Sequence, residues 1–338
     1  MGMLCQRGNG AALIGVVMAH QVRLREVGRS SDRLTAVPPS RAFMVRSADG
    51  TRLHTEVFGP DDGYPIVLSH GITCALRVWF NQIANLSTDH RVIAFDHRGH
   101  GRSEIPRRCG YSLDHLAADL DAVLGATLRP GERAVIAGHS MGGITISAWS
   151  DRYRDSVADR ADAVALINTT TGDLLQELRL LKVPGVLAAT RVRIAEQVIR
   201  AMGCLDVPRG AQWTSRRFVA AMAVGADADP SIVDLVYELF RGTAPGARGG
   251  CARMLADALG PEYLPLDGLT VPALVIGSKK DRLLPIRQSR KIADAVPYLV
   301  GLVELPGGHC AILERPNEVN QLLRELVSSV TQDRRATS

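Results

Sequence analysis

Short unbroken apolar runs alternate along much of the chain with stretches in which apolar residues return every third or fourth position. Residues 66–70, 91–96, 134–138, 163–168 and 273–277 are runs of the first kind, and 299–304 is a weaker sixth. Continuous apolarity over five or six residues predicts strands covered on both faces, because a strand with one wet face alternates. Residues 43–46 and 52–58 predict two further strands around Ala48-Asp49-Gly50, a turn signal that suits a hairpin. Helical periodicity occupies 113–128, 142–153, 287–295 and 317–331, the first behind Ser112, whose hydroxyl can cap a helix start. Strands alternating with helices predict an α/β fold, a mainly parallel sheet with helices on both faces.

One interval breaks the alternation. Between residues 172 and 265 there is no strand-like run, only helical periodicity at 174–181, 186–202, 216–224, 232–240 and 248–259, punctuated by Pro184, Pro208, Pro230, Pro245, Pro261 and Pro265. Because the strand pattern resumes afterwards, this block reads as an insertion set over one edge of the sheet and not as a tandem domain. The expected organisation is an N-terminal extension over 1–40, the first part of an α/β core over 41–171, a helical cap over 172–265, and the second part of the core over 266–338.

Composition narrows the classes. Hydrophobic content of 46% with 22% charged residues is globular, and 338 residues bury enough surface to need no metal or disulfide staple. Forty basic against 35 acidic residues leave +5, and only four residues are lysine (Lys182, Lys279, Lys280, Lys291). With no run of five or six like charges and 4% aromatic residues, nucleic acid is not an expected partner. The cysteines Cys5, Cys74, Cys109, Cys204, Cys251 and Cys310 show no zinc spacing and read as unlinked thiols of a reducing, cytoplasmic compartment. Residues 11–19 form an apolar run behind Arg7 and ahead of Arg23, Arg25, Arg29 and Arg33, too short to span a bilayer. Three readings of it stay open: a removed signal, peripheral contact with an anionic membrane or envelope surface, and a plain helix or tail. Oligomeric state is not legible.

Chemistry concentrates at Gly138-His139-Ser140-Met141-Gly142-Gly143, directly after an apolar run and opening a helical one. A sharp strand-to-helix turn holds such a serine in a strained conformation with its hydroxyl above the sheet, and Gly138 and Gly142 avoid collision with neighbouring backbone. A serine hydroxyl needs a base. His309, in Pro306-Gly307-Gly308-His309, is the only histidine beyond His139. The orienting carboxylate is best placed at Asp281, after the run 273–277, with Asp267 and Asp294 as weaker rivals and a merely solvated loop (Lys279, Lys280) as the competing reading. Preformed donors for an oxyanion are the N–H groups of Met141 and Ile72, with Gly71 or Thr73 as alternatives to Ile72. His70 precedes the serine and is expected to pin its loop and not to act as base. His97 and His100, in a glycine-broken turn from Asp96 to Ser103, read as a tight turn at the site floor and not as metal ligands. This chemistry calls for no metal and no cofactor.

These residues together resemble the α/β-hydrolase superfamily, in particular its capped serine hydrolases such as esterases and monoacylglycerol lipases. The resemblance rests on His70-Gly71, the segment Asp96 to Ser103, Gly138 to Gly143, Asp281 and Gly308-His309, and spans residues 65–316. It implies an eight-stranded sheet whose second strand is antiparallel, with a helical cap after the sixth. Serine at position 140 disfavours the epoxide hydrolases and haloalkane dehalogenases, whose nucleophile is aspartate. His70-Gly71-Ile72-Thr73 is unlike the glycine-rich loop of carbon–carbon hydrolases, and Met141 stands where proline iminopeptidases carry tryptophan. The expected activity is cleavage of esters or thioesters of apolar or lipid-like small molecules through Ser140, His309 and Asp281. The alternatives are a haloperoxidase-like perhydrolase, another hydrolase of the same fold, and a non-catalytic binding protein.

Overall fold

The computed structural model describes residues 37–107, 110–174 and 212–337. Eight strands form one sheet: β1 (Ser40–Arg46), β2 (Arg52–Phe58), β3 (Tyr64–Ser69), β4 (His90–Phe95), β5 (Ala134–His139), β6 (Ala161–Ile167), β7 (Ala273–Ser278) and β8 (Leu299–Leu305). Their spatial order is β1-β2-β4-β3-β5-β6-β7-β8. β2 pairs antiparallel with both β1 and β4, and every later pairing is parallel. The α/β-hydrolase sheet expected from the sequence is the one observed.

Continuous apolar strands arise because successive side chains enter two different cores. Ile66 and Leu68 of β3 face one layer with Trp79, Ile83, Leu86, Leu323 and Leu326, whereas Val67 faces the other with Leu116, Leu120, Ile144 and Trp149. The first layer belongs to α1 (Phe80–Leu86), entered through a 3-10 turn at Leu76–Trp79, and to the last helix of the chain. The second belongs to α2 (Leu113–Thr127) and α3 (Met141–Arg152). Ser112 caps α2 as predicted, its hydroxyl accepting from His115 N at 3.1 Å. Neither α1 nor α4 (Arg154–Arg160) was predicted; each has seven residues, too few for a 3.6-residue period to show.

Between β6 and β7 the described residues hold α5 (Gln212–Ala223), α6 (Pro230–Gly242) and α7 (Pro245–Ala258), and no strand. Pro230 and Pro245 each open a helix, where the missing N–H costs nothing. The helices predicted over 186–202 and most of 174–181, like the apolar run 11–19, lie outside the described residues. The chain closes with α8 (Ile286–Ala295), β8, the short α9 (Ala311–Glu314) and α10 (Pro316–Thr337). Among the described residues no helix is long and apolar enough to cross a membrane. Because β3, β5, β6, β7 and β8 run parallel, the loops that follow them open on one edge of the sheet, where open α/β sheets build their sites.

Candidate active site

Ser140 occupies the turn between β5 and α3 with φ 54° and ψ −120°, a conformation that a non-glycine residue holds only when its surroundings enforce it. The enforcement is visible. Ser140 N donates to Ile167 O at 3.0 Å, while its carbonyl accepts from Gly143 N at 2.9 Å, Ile144 N at 3.2 Å and Thr169 Oγ1 at 2.8 Å. A methyl group at Gly138 would sit 2.5 Å from the Gly142 carbonyl, and one at Gly142 would sit 2.0 Å from Ser69 O. Both glycines are therefore required by close backbone approach, as the sequence suggested. The Ser140 side chain makes no hydrogen bond among the described residues, and the residue is 5% exposed.

From the loops after β7 and β8 come Asp281 and His309, with Nδ1 and Oδ2 at 2.8 Å and both side chains buried. The other carboxylate oxygen, Oδ1, accepts from Leu283 N at 2.9 Å and Leu284 N at 2.8 Å. Facing a carboxylate, Nδ1 carries the imidazole proton, which leaves the Nε2 lone pair for another group. The rivals stand elsewhere: Asp267 is 64% exposed and paired with Arg154 at 2.8 Å, and Asp294 is exposed on α8. Lys280 points outward to Asp227 while Asp281 points in, so the loop is both a charged surface and a buried acid.

His139 joins the serine strand to the histidine loop. Its Nε2 donates to His309 O at 2.9 Å, and the two rings lie 4.9 Å apart. Burial first, and then the neighbouring His309, push the His139 pKa down to about 3, so it is a neutral donor at ordinary pH. Among the described residues no hydrogen bond joins Ser140 Oγ directly to His309.

The loop after β3 closes the site from the other side, and a methyl group at Gly71 would lie 3.1 Å from Ser140 Cβ. His70 pins this loop as expected: its Nε2 accepts from His97 N at 3.0 Å and its Nδ1 donates to Gly71 O at 2.7 Å. With both nitrogens committed to backbone, it has no capacity to act as a base. Thr73 N donates to His100 Nε2 at 3.1 Å, which withdraws it from the candidate oxyanion donors and leaves Ile72 and Gly71 beside Met141, the first residue of α3.

Residues 64–316 match the family described as alpha/beta hydrolase fold. The chain belongs to the alpha/beta hydrolases. A Variovorax paradoxus (strain S110) protein provisionally named the carbamate hydrolase RutD is 30% identical over 281 residues, 82% of this chain and 97% of that one. The enol-lactonase of Burkholderia xenovorans LB400 superposes with a TM-score of 0.67 at 26% identity, covering 85% of this chain and all of that structure. A non-heme chloroperoxidase of Streptomyces lividans is 38% identical over a shorter stretch, 124 residues, which is 36% of this chain and 44% of that protein.

Three features of this hydrolase escaped the sequence reading. Asn168, the first residue past β6, reaches Asp281 Oδ2 with Nδ2 at 2.9 Å. Glu314 on α9 accepts with one oxygen from Gly308 N at 2.9 Å and Gly225 N at 3.0 Å, tying the turn after α5 to the histidine loop. Cys310 N adds a bond to Ala223 O at 3.0 Å. Arg98, fully buried, spans Asp119, Asp49 and Gly110 O and so anchors the turn after β4. The glycine-broken turn itself is a brace: Asp96 accepts from Leu76 N at 2.7 Å and Arg102 N at 2.9 Å. His97 Nε2 meets Ser69 Oγ at 2.9 Å, and His100 Nδ1 donates to Arg98 O at 3.0 Å. Asn168 ended a predicted strand and Glu314 stood between the histidine loop and the predicted helix over 317–331, positions that carry no chemical signal on their own.

Proposed function

We propose that this hydrolase cleaves carboxylic esters or thioesters of apolar, lipid-like small molecules by way of a covalent acyl-enzyme. The observation that carries the reading is the buried Asp281–His309 contact of 2.8 Å, on the sheet edge where a strained serine holds an unbonded hydroxyl. His309 Nε2 takes the Ser140 proton as Oγ adds to the substrate carbonyl, and Asp281 steadies the imidazolium that forms. The N–H groups of Met141 and Ile72 receive the oxyanion at the start of α3, where the helix dipole favours negative charge. His309 returns the proton to the departing alcohol or thiol. It then activates the water that releases the acid.

Helices α5 to α7 act as a cap over this edge and contribute apolar walls. Leu235 and Met254 are 3% and 6% exposed, so those two belong to the packed interior and not to a pocket wall. A lactone is a cyclic ester, so the likeness to an enol-lactonase supports acyl-oxygen cleavage. A perhydrolase reading is favoured by one observation, the partial likeness to a non-heme chloroperoxidase, and would use the same residues with peroxide in place of water.

The test is a p-nitrophenyl ester series of increasing acyl length, assayed with wild type and Ser140→Ala, with and without peroxide and halide. Wild type should turn over the longer apolar esters fastest, and Ser140→Ala should lose at least about ten-thousand-fold in kcat/KM. A fluorophosphonate should label wild type and not the variant. Wild-type rates in Ser140→Ala would end the proposal, best rates on charged esters would remove the apolar preference, and faster peroxide-dependent halogenation would favour the second reading.

A further inference from the structure

Asn168 stands where the sheet hands the acid to the histidine. It is 1% exposed, its N–H continues the β6–β7 ladder to Ile276 O at 2.8 Å, and its φ is 43°, in the left-handed region. Asparagine enters that region more readily than other residues with a side chain. Its Nδ2 lies 2.9 Å from Asp281 Oδ2, the same oxygen that receives His309 Nδ1 at 2.8 Å. The amide must present nitrogen to the carboxylate, since its oxygen would face like charge. Asn168 Oδ1 correspondingly looks toward Ser278 Oγ, 3.4 Å away.

Resting on the hydrolytic reading above, we infer that Asn168 is a positioning residue: it fixes the rotation of the Asp281 carboxylate and shares the oxygen that His309 uses, which sets how strongly the acid holds the imidazolium. Two backbone N–H groups, Leu283 and Leu284, restrain Oδ1, and Asn168 is the one other side chain hydrogen-bonded to Oδ2 among the described residues. Without Asn168, Oδ2 serves His309 alone. The imidazolium is then held more tightly, while the ring is aimed less well at Ser140.

The groups around His309 leave a clean readout. Asp281 faces it from the loop after β7 and His139 from β5, the latter neutral with its pKa pushed to about 3 by burial. Cys310 follows it in the chain, with its thiol pushed well up by burial and by the nearby Cys74, and Glu314 is tied to Gly225 and Gly308 N–H. Neither His139 nor Cys310 changes charge between pH 5 and 8.

Asn168→Gly keeps the positive φ and removes the donor. Its kcat should fall about tenfold with KM unchanged, and the acidic limb of kcat/KM should move up by about half a pH unit. A merely structural role would lower the thermal midpoint and leave that limb in place, which would overturn the proposal. If Asn168→Gly does not fold, Asn168→Ser, whose hydroxyl stops one bond short of the carboxylate, should move the limb in the same direction by less. The low-field proton resonance of His309 Nδ1–H gives an independent reading and should shift further downfield in either variant; an unmoved resonance would also overturn the proposal. A wild type that neither turns over esters nor labels with fluorophosphonate would defeat the hydrolytic reading and this inference with it. An active wild type with an unmoved limb defeats this inference alone.

Discussion

Two buried sets of serine, histidine and aspartate lie among the described residues, and they differ in what their side chains leave free. At the β2–β4 end, His54 Nδ1 meets Asp96 Oδ2 at 3.2 Å with Ser103 close by. At the other, His309 Nδ1 meets Asp281 Oδ2 at 2.8 Å with Ser140 on the adjoining edge. All six residues are buried. The difference is in what remains unspent. Ser103 Oγ accepts from His54 N at 2.8 Å and donates to Asp96 O at 2.5 Å, so its proton and a lone pair are already used. His54 Nε2 faces Glu56 at 3.5 Å, which closes its second nitrogen against another carboxylate. Ser140 Oγ is bonded to nothing among the described residues, its backbone is strained, and the loops after β3 and β6 reach it. Residue identity alone does not make a nucleophile; an unsatisfied hydroxyl held by a satisfied backbone does.

The comparison breaks most sharply on the two histidines. His309→Ala should cost about ten-thousand-fold in kcat/KM on an ester, because the serine then has no base. His54→Ala should keep activity within a few-fold of wild type while the protein becomes less stable. Comparable activity losses in the two variants, at matched folded fractions, would mean that the β2–β4 set takes part in the chemistry.

How much of this was legible follows the same division. Ser140, His309 and Asp281 could be singled out as candidates because each sits at a punctuated point, a glycine-flanked turn or the end of an apolar run, in a recognisable order. The strands were legible for a related reason: both faces are covered, so burial wrote itself into the sequence as unbroken apolarity. Asn168 and Glu314 were not legible, because an amide or carboxylate acquires its role only from what the fold brings to it across more than eighty residues of chain. Thr73 shows the limit from the other side, a plausible oxyanion donor until His100 is seen to occupy its N–H.

A smaller effect sharpens the reading of the brace. Asp96 accepts from Leu76 N, Arg102 N and His54 Nδ1; burial opposes its charge, but these hydrogen bonds together with the neighbouring His54 and His70 outweigh it, so its pKa is lowered. Asp96→Ala leaves the buried Leu76 N–H and His54 Nδ1–H and the part-buried Arg102 N–H without their acceptor and should destabilise the fold by about 3 kcal/mol. Urea unfolding measures this as a lower midpoint with an unchanged slope. A loss below about 1 kcal/mol, within the range of a single ordinary hydrogen bond, would show that the turn is held by Arg98 and the sheet alone.

The smallest effect compares the two regions through their neutral histidines, His97 in the braced turn and His139 beside Ser140. Burial first, and neighbouring positive charge after it, pushes both pKa values down to about 3, far below the unfolded value near 6.5. The unfolded chain therefore binds protons that the folded one refuses. Stability from these groups is fully present above about pH 6.5 and is lost as pH falls from there toward 3. Between pH 7 and 5 each should remove on the order of 2 kcal/mol of unfolding free energy. Replacing either with asparagine should flatten that slope by a similar amount, since asparagine does not titrate. His97→Asn should do so with activity retained. His139→Asn should flatten it with a loss of turnover as well, because the donor to His309 O is disturbed. Equal pH slopes in wild type and both variants would mean that the two imidazoles are charged or solvated in the native state, and that the neutral, braced interior described for both regions is wrong.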